Sequence, residues 1–93
     1  MNDPLETPEI AETSGVVSDI VMYWRPGCGF CSSLERRMYS AGLSFEKRNI
    51  WDDPNHAAFV RSVARGYETV PTLMVKGTAL VNPSLEQIAE ALL

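Results

Sequence analysis

Cys28-Gly29-Phe30-Cys31 marks a change of periodicity, and that junction constrains the fold more than any other feature of the chain. Upstream, Ile20-Val21-Met22-Tyr23-Trp24 is apolar at consecutive positions, the pattern of a central strand covered on both faces. Arg25-Pro26-Gly27 reads as the turn that follows. Downstream, Phe30, Leu34, Met38 and Ala41 recur at helical spacing, with Glu35, Arg36, Arg37 and Ser40 turned outward. Gly42 supplies a left-handed cap. A doubly covered strand feeding a helix is the opening unit of an α/β fold. The two cysteines, the only ones in the chain, lie at its mouth.

The remaining pattern extends that unit. Leu43 to Ile50 is expected to form a second strand. Asp53 and Pro54 supply an N-cap and a proline at the first helical position, and a helix is predicted from there to Gly66. Thr72 to Val75 is a third strand, which Lys76-Gly77 turns into a fourth, Thr78 to Val81. Leu85, Ile88, Ala89 and Leu92 form the apolar stripe of a last helix. Its start is open between a Ser84/Gln87 capping box and a cap at Asn82-Pro83. The order β-α-β-α-β-β-α predicts a mixed four-stranded sheet. The first two strands are parallel, the last two form a hairpin, and helices cover both faces in a three-layer sandwich.

Charge separates the ends of the chain. The formal charge is −4 over 93 residues. Asp3, Glu6, Glu9, Glu12 and Asp19 precede the first strand without a single Lys or Arg. Residues 1–18 are expected to be a disordered acidic tail and residues 19–93 the folded domain. The near-neutral domain gives no case for binding nucleic acid or a membrane, and it is read as a monomer. The N-terminus lacks the basic and apolar regions of a secretory signal, so the chain is read as cytoplasmic. In that compartment a close cysteine pair points to chemistry rather than to a structural staple.

That chemistry is thiol–disulfide exchange. A thiolate attacks a disulfide; a thiol does not. An ordinary thiol, with pKa ~8.5, is only about 3% ionised at pH 7. A helix N-terminus and the nearby cation of Arg25 both favour the anion. Cys28, on the exposed side of Pro26-Gly27, is the expected nucleophile. Cys31, one turn into the helix, is placed to attack a mixed disulfide on Cys28. Gly29 puts no side chain in the way of a substrate, and Phe30 faces either the site mouth or the core. One Cys-x-x-Cys supplies half the ligands of a zinc site, and the single histidine, His56, lies 25 residues on, so no metal is expected. Trp24 is read as core or rim, and Arg61 and Arg65 as a solvated helix face. Val70-Pro71 opens the third strand. On base rates its peptide bond is trans, and spacing alone does not place it near the cysteines.

Cys-Gly-Phe-Cys after the first strand, Thr69-Val70-Pro71 opening the third, and the element order together resemble the glutaredoxins of the thioredoxin superfamily, over about residues 19–93. The resemblance implies a thioredoxin-like, glutaredoxin-type sandwich and a redox-active Cys28–Cys31 pair. It implies that Pro71 is cis and faces Cys28, with Thr69 and Val70 presenting backbone to a thiol-bearing substrate. Arg25 matches a position usually held by Lys. Many dithiol glutaredoxins carry Cys-Pro-Tyr-Cys and a Gly-Gly turn with an Asp that grips glutathione. Here Leu80-Val81-Asn82-Pro83-Ser84 fills that turn. Trp-Arg-Pro-Gly-Cys and Val-Asn-Pro-Ser look more like the mycoredoxins, which use mycothiol, a sugar-based thiol.

The resemblance therefore implies reduction of mixed disulfides between mycothiol, less so glutathione, and protein cysteines, with no tightly bound cofactor. The partners are the low-molecular-weight thiol, S-thiolated or oxidised proteins, and a reductase. Two alternatives stay open. One is a dithiol electron donor coupled to thioredoxin reductase. The other is an iron–sulfur cluster carrier, since Cys-Gly-Phe-Ser is the motif of cluster-binding relatives.

Overall fold

A computed structural model describes residues 19–93; the acidic segment 1–18 lies outside the described residues. The chain forms β1 (Ile20–Trp24), α1 (Gly29–Ser40), β2 (Glu46–Asn49), α2 (Pro54–Val63), β3 (Thr72–Val75), β4 (Thr78–Val81) and α3 (Leu85–Leu92). The sheet order is β2-β1-β3-β4, with β2 parallel to β1 and both other pairings antiparallel. This is the expected β-α-β-α-β-β-α order with a mixed four-stranded sheet.

The alternation of β1 explains the three layers. Ile20 and Met22 enter one core with Leu34 and Met38 of α1, Leu73 and Val75 of β3, and Ile88 of α3. Tyr23 turns to the opposite face, where it joins Ile50 with Ala57, Val60 and Ala64. Successive strand side chains point to opposite faces, so a strand apolar at every position is what two covered faces require. Trp24 packs at the rim of the first core, with the Lys47 ammonium 4.4 Å from its ring centroid and Glu35 holding that ammonium at 3.0 Å. His56 stacks edge-on against Tyr23, with ring centroids 5.9 Å apart.

Element ends follow local chemistry, in places differently from expectation. β2 is shorter than Leu43 to Ile50, because Leu43 is consumed by the end of α1. Its N–H donates to the Met38 carbonyl at 3.0 Å across Gly42, which sits at φ +77°. This is the six-residue closure of a Schellman cap. α2 stops at Val63 rather than near Gly66, since Arg65 adopts φ +57° and Gly66 N–H closes onto the Arg61 carbonyl at 2.8 Å. Arg65 therefore does not share a helix face with Arg61, which pairs instead with Glu68 at 2.6 Å. Lys76 and Gly77 both have positive φ, the geometry of a two-residue hairpin turn. Ser84, not Asn82, caps α3, through a complete capping box with Gln87.

Candidate active site

Cys28 is the N-cap of α1, with extended backbone at φ −92°, ψ 106°. At an N-cap a side-chain acceptor meets the free amides of the first turn. Here the acceptor is sulfur: the Cys31 N–H donates to Cys28 Sγ at 3.2 Å. The residue type that caps the helix is thus the one whose anion the helix end favours. Ser32 reinforces the turn, its N–H reaching the Cys28 carbonyl at 3.2 Å.

A distant segment closes over the sulfur. The Val70–Pro71 peptide bond is cis, as the resemblance implies and the base rate does not. The Cys28 thiol donates to the Val70 carbonyl at 3.7 Å, across 42 residues of sequence. That segment is fixed by Thr72, fully buried, whose hydroxyl donates to the Thr69 carbonyl at 2.7 Å, and by Asn82, whose N–H donates to the Pro71 carbonyl at 2.7 Å. Asn82 holds φ +48°, a conformation that asparagine tolerates better than most residues. Cys28 is consequently 7% exposed and Cys31 2%. The expectation of an open nucleophile needs correction: Cys28 is buried, with the Val70 carbonyl against its thiol.

The two thiols are free and differ in environment. Burial pushes the Cys31 thiol up to about 12, helped by its hydrogen bond with Cys28 and opposed by Arg25 through backbone and charge. The fold holds this proton more tightly than the unfolded chain does, so the stability this gives the reduced protein is fully present below pH 9. It is lost as pH rises from about 9 towards about 12. Thermal melting of reduced protein should show wild type losing more stability over that window than Cys31→Ser. Parallel curves would contradict the burial of this thiol.

The other expected site residues divide. Gly29 faces open space, and a β-carbon there would meet no atom within 4 Å. Phe30 is 74% exposed, which removes the core option. Arg25 folds back over the turn, Nη1 donating to the Pro26 carbonyl at 3.2 Å, with its guanidinium carbon 5.9 Å from the Trp51 ring centroid. Thr69 spends its carbonyl on Thr72. Sequence reasoning gave no role to Trp51 or Tyr67, and it read Asn82 only as a possible helix cap and as part of the turn after the fourth strand. Trp51 and Tyr67 are exposed aromatics in the loops after β2 and before β3. The available signal for Trp51 was a bulky apolar residue between a strand end and the Asp53 N-cap, where burial is not expected.

The glutaredoxin family model matches residues 20–80 of the chain, a span that contains both cysteines and Thr69-Val70-Pro71. Among curated proteins, "Putative glutaredoxin Rv3198A" of Mycobacterium tuberculosis is 28% identical over 74 residues, covering 78% of this chain and 88% of that protein. Among solved structures, the glutaredoxin-like protein NrdH-redoxin from Escherichia coli superposes with a TM-score of 0.66. It is 25% identical and covers 76% of this chain and 91% of that one. The thioredoxin-like protein BC3987 gives a TM-score of 0.67 at 17% identity, covering 77% and 97%. With the family match spanning most of the chain, on a thioredoxin-like fold, this protein belongs to the glutaredoxin family of thiol–disulfide oxidoreductases.

Proposed function

We propose that the protein removes a low-molecular-weight thiol from S-thiolated protein cysteines by a mechanism that needs Cys28 alone, with mycothiol as that thiol. The observation that carries the reading is the Cys28 sulfur, held at the N-cap by the Cys31 amide and facing the Val70 carbonyl. The Cys28 thiolate attacks the thiol-derived sulfur of the mixed disulfide. A Cys28–thiol disulfide forms and the protein cysteine leaves as thiolate. A second thiol, as its anion, attacks the thiol-derived sulfur of that adduct. It yields the symmetric disulfide and returns Cys28 as thiolate. Arg25, Gly29, Phe30, Thr69, Val70 and Pro71 line the approach, with the Val70 backbone pairing with the substrate.

Cys31 supports this division of labour. Burial, the largest cause, holds the Cys31 thiol above its ordinary range and keeps it protonated at neutral pH. Resolution by an external thiol therefore competes well against resolution by Cys31. The preference for mycothiol rests on the turn after β4. Asn82-Pro83-Ser84 offers no acid to a glutathione amino group, and Ser84 is committed to capping α3. The reaction needs a reducing compartment, which favours the cytoplasm. No helix among the described residues is long and apolar enough to cross a membrane.

Paired mixed disulfides of one peptide with mycothiol and with glutathione test the assignment. Wild type is expected to turn over the mycothiol form faster. Equal or faster turnover of the glutathione form would overturn it. The likeness to NrdH-redoxin, a protein described as having a thioredoxin-like activity profile, favours a second reading as a dithiol donor served by a reductase. Loss of all turnover in Cys31→Ser would select that reading.

A further inference from the structure

Trp51 is an exposed aromatic that the core does not require. It is 64% exposed, in the loop between β2 and α2. The loop is nevertheless pinned. The Trp51 N–H donates to Asn49 Oδ1 at 2.9 Å, the Asp52 N–H to the Asn49 carbonyl at 3.0 Å, and the Ile50 N–H to the Trp24 carbonyl at 2.9 Å. Asn49 pairs with Trp24, so the indole stands where the parallel strands β1 and β2 end. Ligands of α/β sheets bind beyond the carboxyl ends of the strands. From that same end Arg25-Pro26-Gly27 leads into Cys28.

The neighbour of the indole is a cation. The Arg25 guanidinium lies 5.9 Å from the ring centroid and also reaches the Pro26 carbonyl. A lone exposed aromatic calls for no explanation. An indole on a pinned loop, beside the guanidinium of Arg25, three residues before Cys28 in sequence, is a different arrangement. It offers an apolar π-face beside a planar fork of hydrogen-bond donors. A sugar ring has the matching chemistry. Its C–H face carries the partial positive charge that a π-face attracts, and its hydroxyls accept from the guanidinium. A thiol whose polar groups are only carboxylates gains from Arg25 and nothing from Trp51.

We propose that Trp51, together with Arg25, forms the subsite for the sugar moiety of the thiol, the pyranose ring lying on the indole while its cysteine-derived sulfur reaches Cys28. The assignment rests on the mycothiol reading and makes Trp51 a determinant of thiol specificity.

The test uses one peptide in two mixed disulfides, one with mycothiol and one with N-acetylcysteine, which presents the acylated cysteine without the sugar. Wild type, Trp51→Ala and Trp51→Phe are compared by kcat and KM. Wild type is expected to prefer the mycothiol form. Trp51→Ala should lose roughly five- to tenfold in kcat/KM on that form, mainly through KM, and nothing on the N-acetylcysteine form. Trp51→Phe should recover part of the loss. An equal fall on both substrates would make Trp51 merely structural and overturn the subsite. An unchanged mycothiol preference in Trp51→Ala would overturn it while leaving the mycothiol reading in place. A wild type without preference for the sugar-bearing form would sink the mycothiol reading, and the subsite with it.

Discussion

Replacing Cys28 by Ser is expected to abolish turnover of a mixed disulfide, while Cys31→Ser keeps turnover of the same order as wild type. The first half follows from bond chemistry, since a hydroxyl cannot accept the thiol-derived sulfur to form a disulfide. The second half follows from geometry. The donor that residue 31 gives to Cys28 Sγ is its backbone N–H at 3.2 Å, which serine retains. The Cys31 side chain, pushed up to about 12, is an uncharged thiol at neutral pH, so its removal takes no charge from the site. A coupled assay following release of the free peptide thiol checks both variants. Activity in Cys28→Ser would remove the nucleophile assignment. A dead Cys31→Ser would move the mechanism to an obligate dithiol.

Leu34→Ala is expected to cause the largest loss of stability among conservative changes near the site. Leu34 is buried on α1, one turn beyond Cys31, in the core it shares with Met22, Met38, Leu73 and Ile88. Truncating a buried leucine costs about 2–5 kcal/mol, from lost transfer energy and the cavity left behind. For a domain of this size each kcal/mol lowers Tm by about 4–8 °C, so a fall of roughly 10 °C or more is expected. A small domain has only about 5 kcal/mol or a little more to lose. Because Cys28 caps the same helix, activity should fall with the unfolded fraction and return on cooling. Thermal melting followed by circular dichroism gives the measurement. A Tm within a degree or two of wild type would mean that α1 is not packed on β1 and β3 as described.

Much of this architecture was legible in the chain because it is local. β1 shows its two covered faces in five consecutive apolar residues, and Ser84 with Gln87 carries a cap signature. What escaped is set by contacts distant in sequence or by backbone shared between elements. Leu43 looked like strand and became the end of a helix cap, because the Met38 carbonyl needed a donor. Arg65 looked helical and became the left-handed residue that stops α2. Cys28 looked open, since nothing near it in sequence announces that Val70, 42 residues on, lies over its sulfur. The relation of Trp51 to Arg25 arises only when β1 and β2 pair. Conversely, the position of Pro71 was available only through resemblance, because no local pattern brings it to the cysteines.

The most direct test of the central claim is the intact mass and peptide map of Cys31→Ser after brief reaction with a mycothiol-bearing peptide disulfide. One mycothiol adduct is expected, located on Cys28 and removed by added mycothiol. Protein that stays unmodified while the peptide keeps its mycothiol would contradict it.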